Sequence, residues 1–276
     1  MKKITALITL TVAMTVFFLT GACEAQTGVT ADAMKPMLEK TKSRINEWFR
    51  ILDRELESAA ERLSTADLSG RDARRILKEL MIGRSSIVDC GIVDESGILI
   101  TVQPPEYRSY EGRDISSEQH IMAVRETKRP VMSDSFNAVE GVYSVALEYP
   151  IFSDKGRYRG SVSLIIKYAA FLNNILEKIV KDMPCKVWVM QPDGLILYDS
   201  DPNQINRNVF TDDMFKPFHS LITFSKNVVS EKNGTGSYDF YSKGFEDKAV
   251  VKKNAIWDTV GLYGNEWRII VMEIEK

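Results

Sequence analysis

Histidine and cysteine are scarce: two His and three Cys in 276 residues. Three cysteines cannot build a disulfide framework, and no Cys/His cluster has zinc-finger spacing. Two histidines leave little material for a His-rich metal centre, so no metal site is expected. The chain has no His-Glu-x-x-His, Gly-x-Ser-x-Gly, phosphate-loop or Gly-x-Gly-x-x-Gly run, which removes the commonest metalloprotease, hydrolase and nucleotide signatures. No cofactor is implied and no catalytic constellation is visible. The plentiful carboxylates sit mostly in helical charge patterns that solvated faces explain, so no enzyme is expected. An excess of one charge is missing too: 36 Lys plus Arg against 38 Asp plus Glu leaves −2, with no electrostatic case for nucleic acid. Beyond the N-terminus no apolar run approaches the ~18 residues of a membrane span.

What is present begins with an export signal. Met1-Lys2-Lys3 precedes an uncharged, mostly apolar stretch from Ile4 to Cys23, with small residues at Gly21, Ala22 and Ala25. Residues 1–25 thus read as a signal peptide. Three outcomes stay open: cleavage before Cys23 with lipidation of Cys23 as in a bacterial lipoprotein, cleavage after Ala25, or an uncleaved anchor. All three place the remainder in a periplasmic or extracytoplasmic compartment, touching the membrane only through this segment.

The rest divides into N-terminal helices over 30–83, a module over 84–167, and a linker helix with a second module over 168–276. Met34, Leu38, Ile45, Trp48, Leu52, Leu56, Ala59 and Leu63 recur at steps of three or four, or their sum, predicting one helix from Thr30 to about Leu63. Its apolar stripe needs a partner, either its own modules or a second copy of the chain. Ser69 and Asp72 predict an N-terminal cap for a helix ending at Gly83. Strands are then expected at Ile87–Val93 and Ile98–Val102, joined by Asp94-Glu95-Ser96-Gly97. A helix should start near Ser116, followed by three strands between Val131 and Lys167. After a helix at Ala169–Met183 the hairpin recurs: aligning Gly97 with Gly194 sets Ile98-Leu99-Ile100 over Leu195-Ile196-Leu197, an offset of 97 residues that suits one module. A short helix at Asp212–Phe224 and strands around Gly236–Tyr241, Ala249–Trp257 and Trp267–Ile274 complete the copy. Trp188, Trp257 and Trp267 alternate with apolar neighbours and read as core. Cys90 and Cys185 read as buried free thiols.

This order of pieces resembles the double Cache family, the extracytoplasmic sensor module of bacterial and archaeal receptors. The resemblance is carried by Ile92-Val93-Asp94-Glu95-Ser96-Gly97-Ile98-Leu99, Gly112-Arg113-Asp114-Ile115-Ser116, Pro130 to Phe136, Tyr149-Pro150-Ile151-Phe152 with Gly160-Ser161-Val162, Gln191 to Tyr198, and Trp267 to Val271. It covers roughly residues 30–276. It implies an α+β fold in which a long N-terminal helix precedes two PAS-like (Cache) modules, each an antiparallel sheet flanked by helices. It also implies that the first module binds a small molecule.

On the residues that match the family pocket, ligand contact is implied for Tyr107 and Tyr110 in the covering loop, and for Arg113, His120, Ser133, Asp134, Phe136 and Tyr143. Bland alternatives stand beside each: exposed loop tyrosines, a surface Arg, a partly exposed helix His, ordinary turn and strand roles. The family's amino-acid binders carry an Arg, Trp and Tyr where Glu118, His120 and Ile121 stand here. Their last-strand Asp is replaced by about Ile165, so an amino acid is not the expected ligand; a small anionic or neutral metabolite is, with Arg113 able to clamp an organic anion. The expected function is an exported small-molecule sensor without an output domain of its own. It would signal through a partner protein or a homodimer formed by the long helix. The alternative is a periplasmic interaction protein with an empty Cache fold, and a distant third is an exported hydrolase.

Overall fold

The computed structural model describes residues 31–275 apart from 139–140, 182 and 245–247, with side chains from Met34 onward. The signal segment, Cys23 included, lies outside the described residues. Helix α1 spans Ala31–Leu63, about 50 Å at 1.5 Å per residue, with Pro36 tolerated in its first turns. Its stripe is buried at Met34, Leu38, Ile45, Leu52, Leu56, Ala59 and Leu63. Phe49, adjacent to the expected Trp48, supplies the fully packed aromatic, stacking on Phe171 and meeting Trp267 edge-on at 5.3 Å. Trp48 is only partly buried against the same core.

Helix α2 covers Arg71–Met81 and is capped by Gly70 without a side-chain bond. The expected Ser69 cap is spent elsewhere, because Asp67 accepts from both the Ser69 N–H and hydroxyl. The first sheet holds β1 Ile87–Asp94, β2 Leu99–Gln103, β3 Val131–Met132, β4 Phe136–Asn137, β5 Tyr143–Phe152 and β6 Tyr158–Ile166. They run antiparallel in the order β2-β1-β6-β5-β3, with β4 also on β5. Helix α3 spans Gln119–Thr127. It starts three residues after the expected Ser116, because Asp114 accepts from the Ser116 N–H and holds that stretch as a turn.

Helix α4, Tyr168–Val180, leads to the second sheet: β7 Lys186–Met190, β8 Ile196–Asp199, β9 Gly234–Tyr241, β10 Val250–Leu262 and β11 Asn265–Ile274. The order β8-β7-β11-β10-β9 repeats that of the first sheet. The repeat is exact in its details: each hairpin shifts register at the same point, Ile92/Val93 and Val189/Met190, 97 residues apart. Gly97 and Gly194 share φ near +95° and +93°, and a Cβ on either would come within 2.6 Å of Ser116 or Phe210, so only glycine fits. The expected helix at Asp212–Phe224 is displaced. Asp212 caps Met214 in a turn, and helix α5 runs His219–Ser230.

One core cluster joins α1, α2, α4 and the faces of both sheets turned toward them, with Cys90 and Cys185 buried in it as free thiols. A second cluster fills the space between the far face of the second sheet and α5, around Trp188 and Trp257. The long helix therefore packs along its own two modules.

Candidate functional site

The repeat explains why the first module is hollow at a place where the second is filled. On the face away from α1, Gly91, Ser163 and Glu148 lie side by side across β1, β6 and β5. The offset of 97 carries Gly91 onto Trp188, whose neighbours across the second sheet are Ile270 and Trp257. Two indoles and an Ile fill the equivalent place in the second module. A Gly, a Ser and a Glu leave a cavity of about 80 Å³ in the first, several times the ~10–15 Å³ that one water needs.

The floor is acidic. Glu148 is 0% exposed and Asp89 6%. Glu148 Oε2 accepts from the Ser161 hydroxyl at 2.7 Å, while its Oε1 has no partner among the described residues. Burial pushes the Glu148 carboxyl up to about 7 against the pull of hydrogen bonds from Ser163 and Ser161. His120 Nε2 lies 3.8 Å from Glu148 Oε1. Burial holds the imidazole down at about 4, so at neutral pH it is uncharged and the contact is not an ion pair. Its ring rests on Phe136 at 5.1 Å.

The cover is the loop after β2, which includes a 3₁₀ turn at Pro105–Tyr110. Tyr110 and Arg113 line the cavity from there, and Glu118, His120 and Phe136 close its side. Glu111 pins this loop from behind. Its carboxylate takes two bonds from the Arg74 guanidinium on α2, at 2.6 and 3.0 Å, and one from the Val102 N–H. Arg74 holds the Glu111 carboxyl below its ordinary value.

Of the eight residues expected at a pocket, Tyr110, Arg113, His120 and Phe136 meet around this cavity. Tyr107 packs behind Tyr110, ring centres 6.2 Å apart. Ser133 and Asp134 line a neighbouring cavity of about 260 Å³ beyond His120 and Phe136. Both are bonded there: the Ser133 hydroxyl accepts from Ala146 N–H, and Asp134 accepts from the Asn265 amide. Tyr143 lines neither cavity and is 48% exposed, paired with Asn137 at the start of β5. His120, expected partly exposed, is 7% exposed because α3 lays it onto the sheet. Sequence reasoning missed Asp89 and Glu148. Each is an acid in the interior of an otherwise mostly apolar strand, and that was the available signal. Asp89 stands directly across from Ile165, and both line the cavity.

An acidic hollow several times the size of a water lies under an aromatic loop on the first of two antiparallel sheets, the arrangement of a ligand-sensor fold. Residues 47–168 match the family model of the HK/GC/chemotaxis protein-like sensor domain. Among solved structures, an extracellular ligand-binding receptor from Desulfohalobium retbaense is 30% identical with a TM-score of 0.73, over 87% of this chain. This chain spans 40% of that receptor's length. The ligand-binding domain of the Pseudomonas aeruginosa amino-acid chemoreceptor PctB, in complex with L-Gln, is 17% identical with a TM-score of 0.62, over 88% of this chain and 90% of its own. That of PctC from the same organism, in complex with GABA, is 16% identical with a TM-score of 0.61, over 88% and 99%. No curated protein matches the chain. The chain has a double Cache fold, and its residues 47–168 match that sensor-domain family. No described helix is long and apolar enough to cross a membrane.

Proposed function

We propose that this chain is an extracytoplasmic sensor domain that binds a small amine-bearing metabolite in the cavity of the first module, and is not an enzyme. The observation that carries it is Glu148 Oε1: fully buried, without a hydrogen-bond partner among the described residues, and facing a cavity it shares with Asp89. An unpaired buried carboxylate oxygen is costly and a protonated amine satisfies it. This replaces the organic anion that Arg113 alone suggests, since two buried acids repel an anion and Arg113 sits exposed at the mouth. L-Gln and GABA, held by the similar chemoreceptor domains, each carry an ammonium group.

Tyr110 and Arg113 would close over the ligand. Glu111 and Arg74 then transmit the loop's position to α2, which packs on α1. Signalling requires that ligand favour one arrangement of this loop over another. The same reading has residues 1–25 direct export, with Cys23 the lipid site, and a partner protein or a second copy receive the signal through α1. The module boundaries near 84, 168 and 276 are part of it.

A thermal-shift panel of small amines, amino acids and organic acids tests the ligand class. An amine present at 100 times its Kd should stabilise by about 2.7 kcal/mol. Glu148→Gln and Asp89→Asn should each weaken that ligand at least tenfold, because a charged hydrogen bond is worth about 1.5–3 kcal/mol. Affinity should also rise with pH through about 7 as Glu148 ionises. If only organic acids shift the midpoint, the amine reading fails. If nothing shifts it, the chain is an interaction module with an empty Cache fold.

A further inference from the structure

The second module holds a cavity of its own, about 300 Å³, between β8, β10 and the turn at 242–244. It continues inward into a pocket of about 20 Å³ that shares Asp199, Gln204, Lys253 and Met272 with it. Lys253 faces both and is 3% exposed. Its ammonium makes no hydrogen bond and no ion pair within 4 Å among the described residues; the Phe240 ring lies 5.3 Å away. Burial holds the Lys253 amine below its ordinary value, and Asp199 and Asp201 act on it through space without a direct bond.

The surrounding charge is the reverse of that in the first cavity. The offset of 97 puts Lys186 where Asp89 stands, and Lys186 lines this cavity with Lys243. The two acids nearby are partly committed. Asp201 Oδ1 accepts from the N–H and amide of Asn203. Asp199, 8% exposed, accepts the Asp201 N–H on Oδ1. Burial also raises the Asp199 carboxyl to about 7, so it can accept a hydrogen bond from a hydroxyl or donate one to it.

We propose that this cavity is a second binding site, selective for a short-chain hydroxycarboxylate, whose carboxylate sits on the Lys253 ammonium and whose hydroxyl reaches Asp199. Lys186 and Lys243 draw the anion to the mouth. The domain would then read two ligands of opposite polarity, one per module.

Titration calorimetry of the exported chain with lactate, malate and alanine tests this. Heat of binding is expected for lactate or malate and none for alanine at this site. Lys253→Met should weaken the hydroxyacid at least tenfold, and Lys253→Arg should restore part of the affinity. Glu148→Gln, in the other module, should leave it unchanged, which separates this site from the amine site. If Lys253→Met fails to fold, the same loss is expected in the double variant Lys186→Ala/Asp199→Asn. Absence of hydroxyacid binding, affinity unchanged in these variants, or a loss in Glu148→Gln alone would each overturn the proposal.

Discussion

Glu148 is the residue on which the chemistry of the first module turns, and its titration leaves a signature in stability. Its folded value of about 7 lies above the ordinary 4.5. The folded state therefore holds the proton more tightly, and stability falls as pH rises from about 4.5 to about 7, by about 3 kcal/mol in all. His120 works in the opposite sense. Its folded value of about 4 lies below 6.5, so its contribution is lost as pH falls through the same range. The two nearly cancel in the parent chain. Glu148→Gln removes only the first, so the variant should gain on the parent as pH rises from 5 to 7.5, seen as a growing difference in Tm. A difference that stays flat would show that Glu148 ionises normally. The interior acids of β1 and β5 were visible as oddities in mostly apolar strands. That they share a face was not, because both strands are buried nearly throughout and lack the alternation that separates faces.

At the scale of elements, α1 and the covering loop do the coupling. Phe49 touches Phe171 of α4 and Trp267 of β11 at once. Phe49→Ala should cost about 3–5 kcal/mol, and Trp48→Ala, being half-buried, distinctly less; denaturant midpoints would rank them. The reverse order would contradict the packing. The periodicity of α1 was legible because a helical stripe is a local pattern. Whether 48 or 49 faced inward was not, since neighbouring positions on a wide stripe both satisfy a step of three or four. Glu111 makes a different prediction. Glu111→Ala frees the covering loop from Arg74 and Val102, so amide exchange at residues 106–113 should speed up while the sheet stays protected. Exchange rising equally in β1 and β6 would instead mean global loosening. The starts of α3 and α5 were misjudged by several residues because Asp114 and Asp212 fold their own backbones into turns first, a competition that spacing alone does not resolve.

Across the whole molecule the two modules are joined by bonds as well as by α1. Ser135 N–H donates to Gln191 Oε1 at 2.8 Å, the Asn265 amide donates to Asp134, and Lys42 on α1 pairs with Asp258 at 2.6 Å. Tyr263 donates to Asp53 of α1 at 2.5 Å. With one core cluster spanning both sheets, calorimetry should show a single unfolding transition. Gln191 is 2% exposed, and Gln191→Ala, which strands the Ser135 N–H, should lower that transition by about 1–3 kcal/mol. Two resolved peaks in the parent chain would mean that the modules unfold independently. The sequence by itself determined the long helix, the repeat and the Cache-like fold, because helical period, hairpin turns and glycines with positive φ are written in residues close together along the chain. Only the tertiary structure decided that this place in the first module is hollow and which charge lines it. Those properties depend on Asp89, Glu148 and Ser163 meeting across three strands, and on tryptophans filling the equivalent places in the second module, pairings that exist only after the sheets have formed.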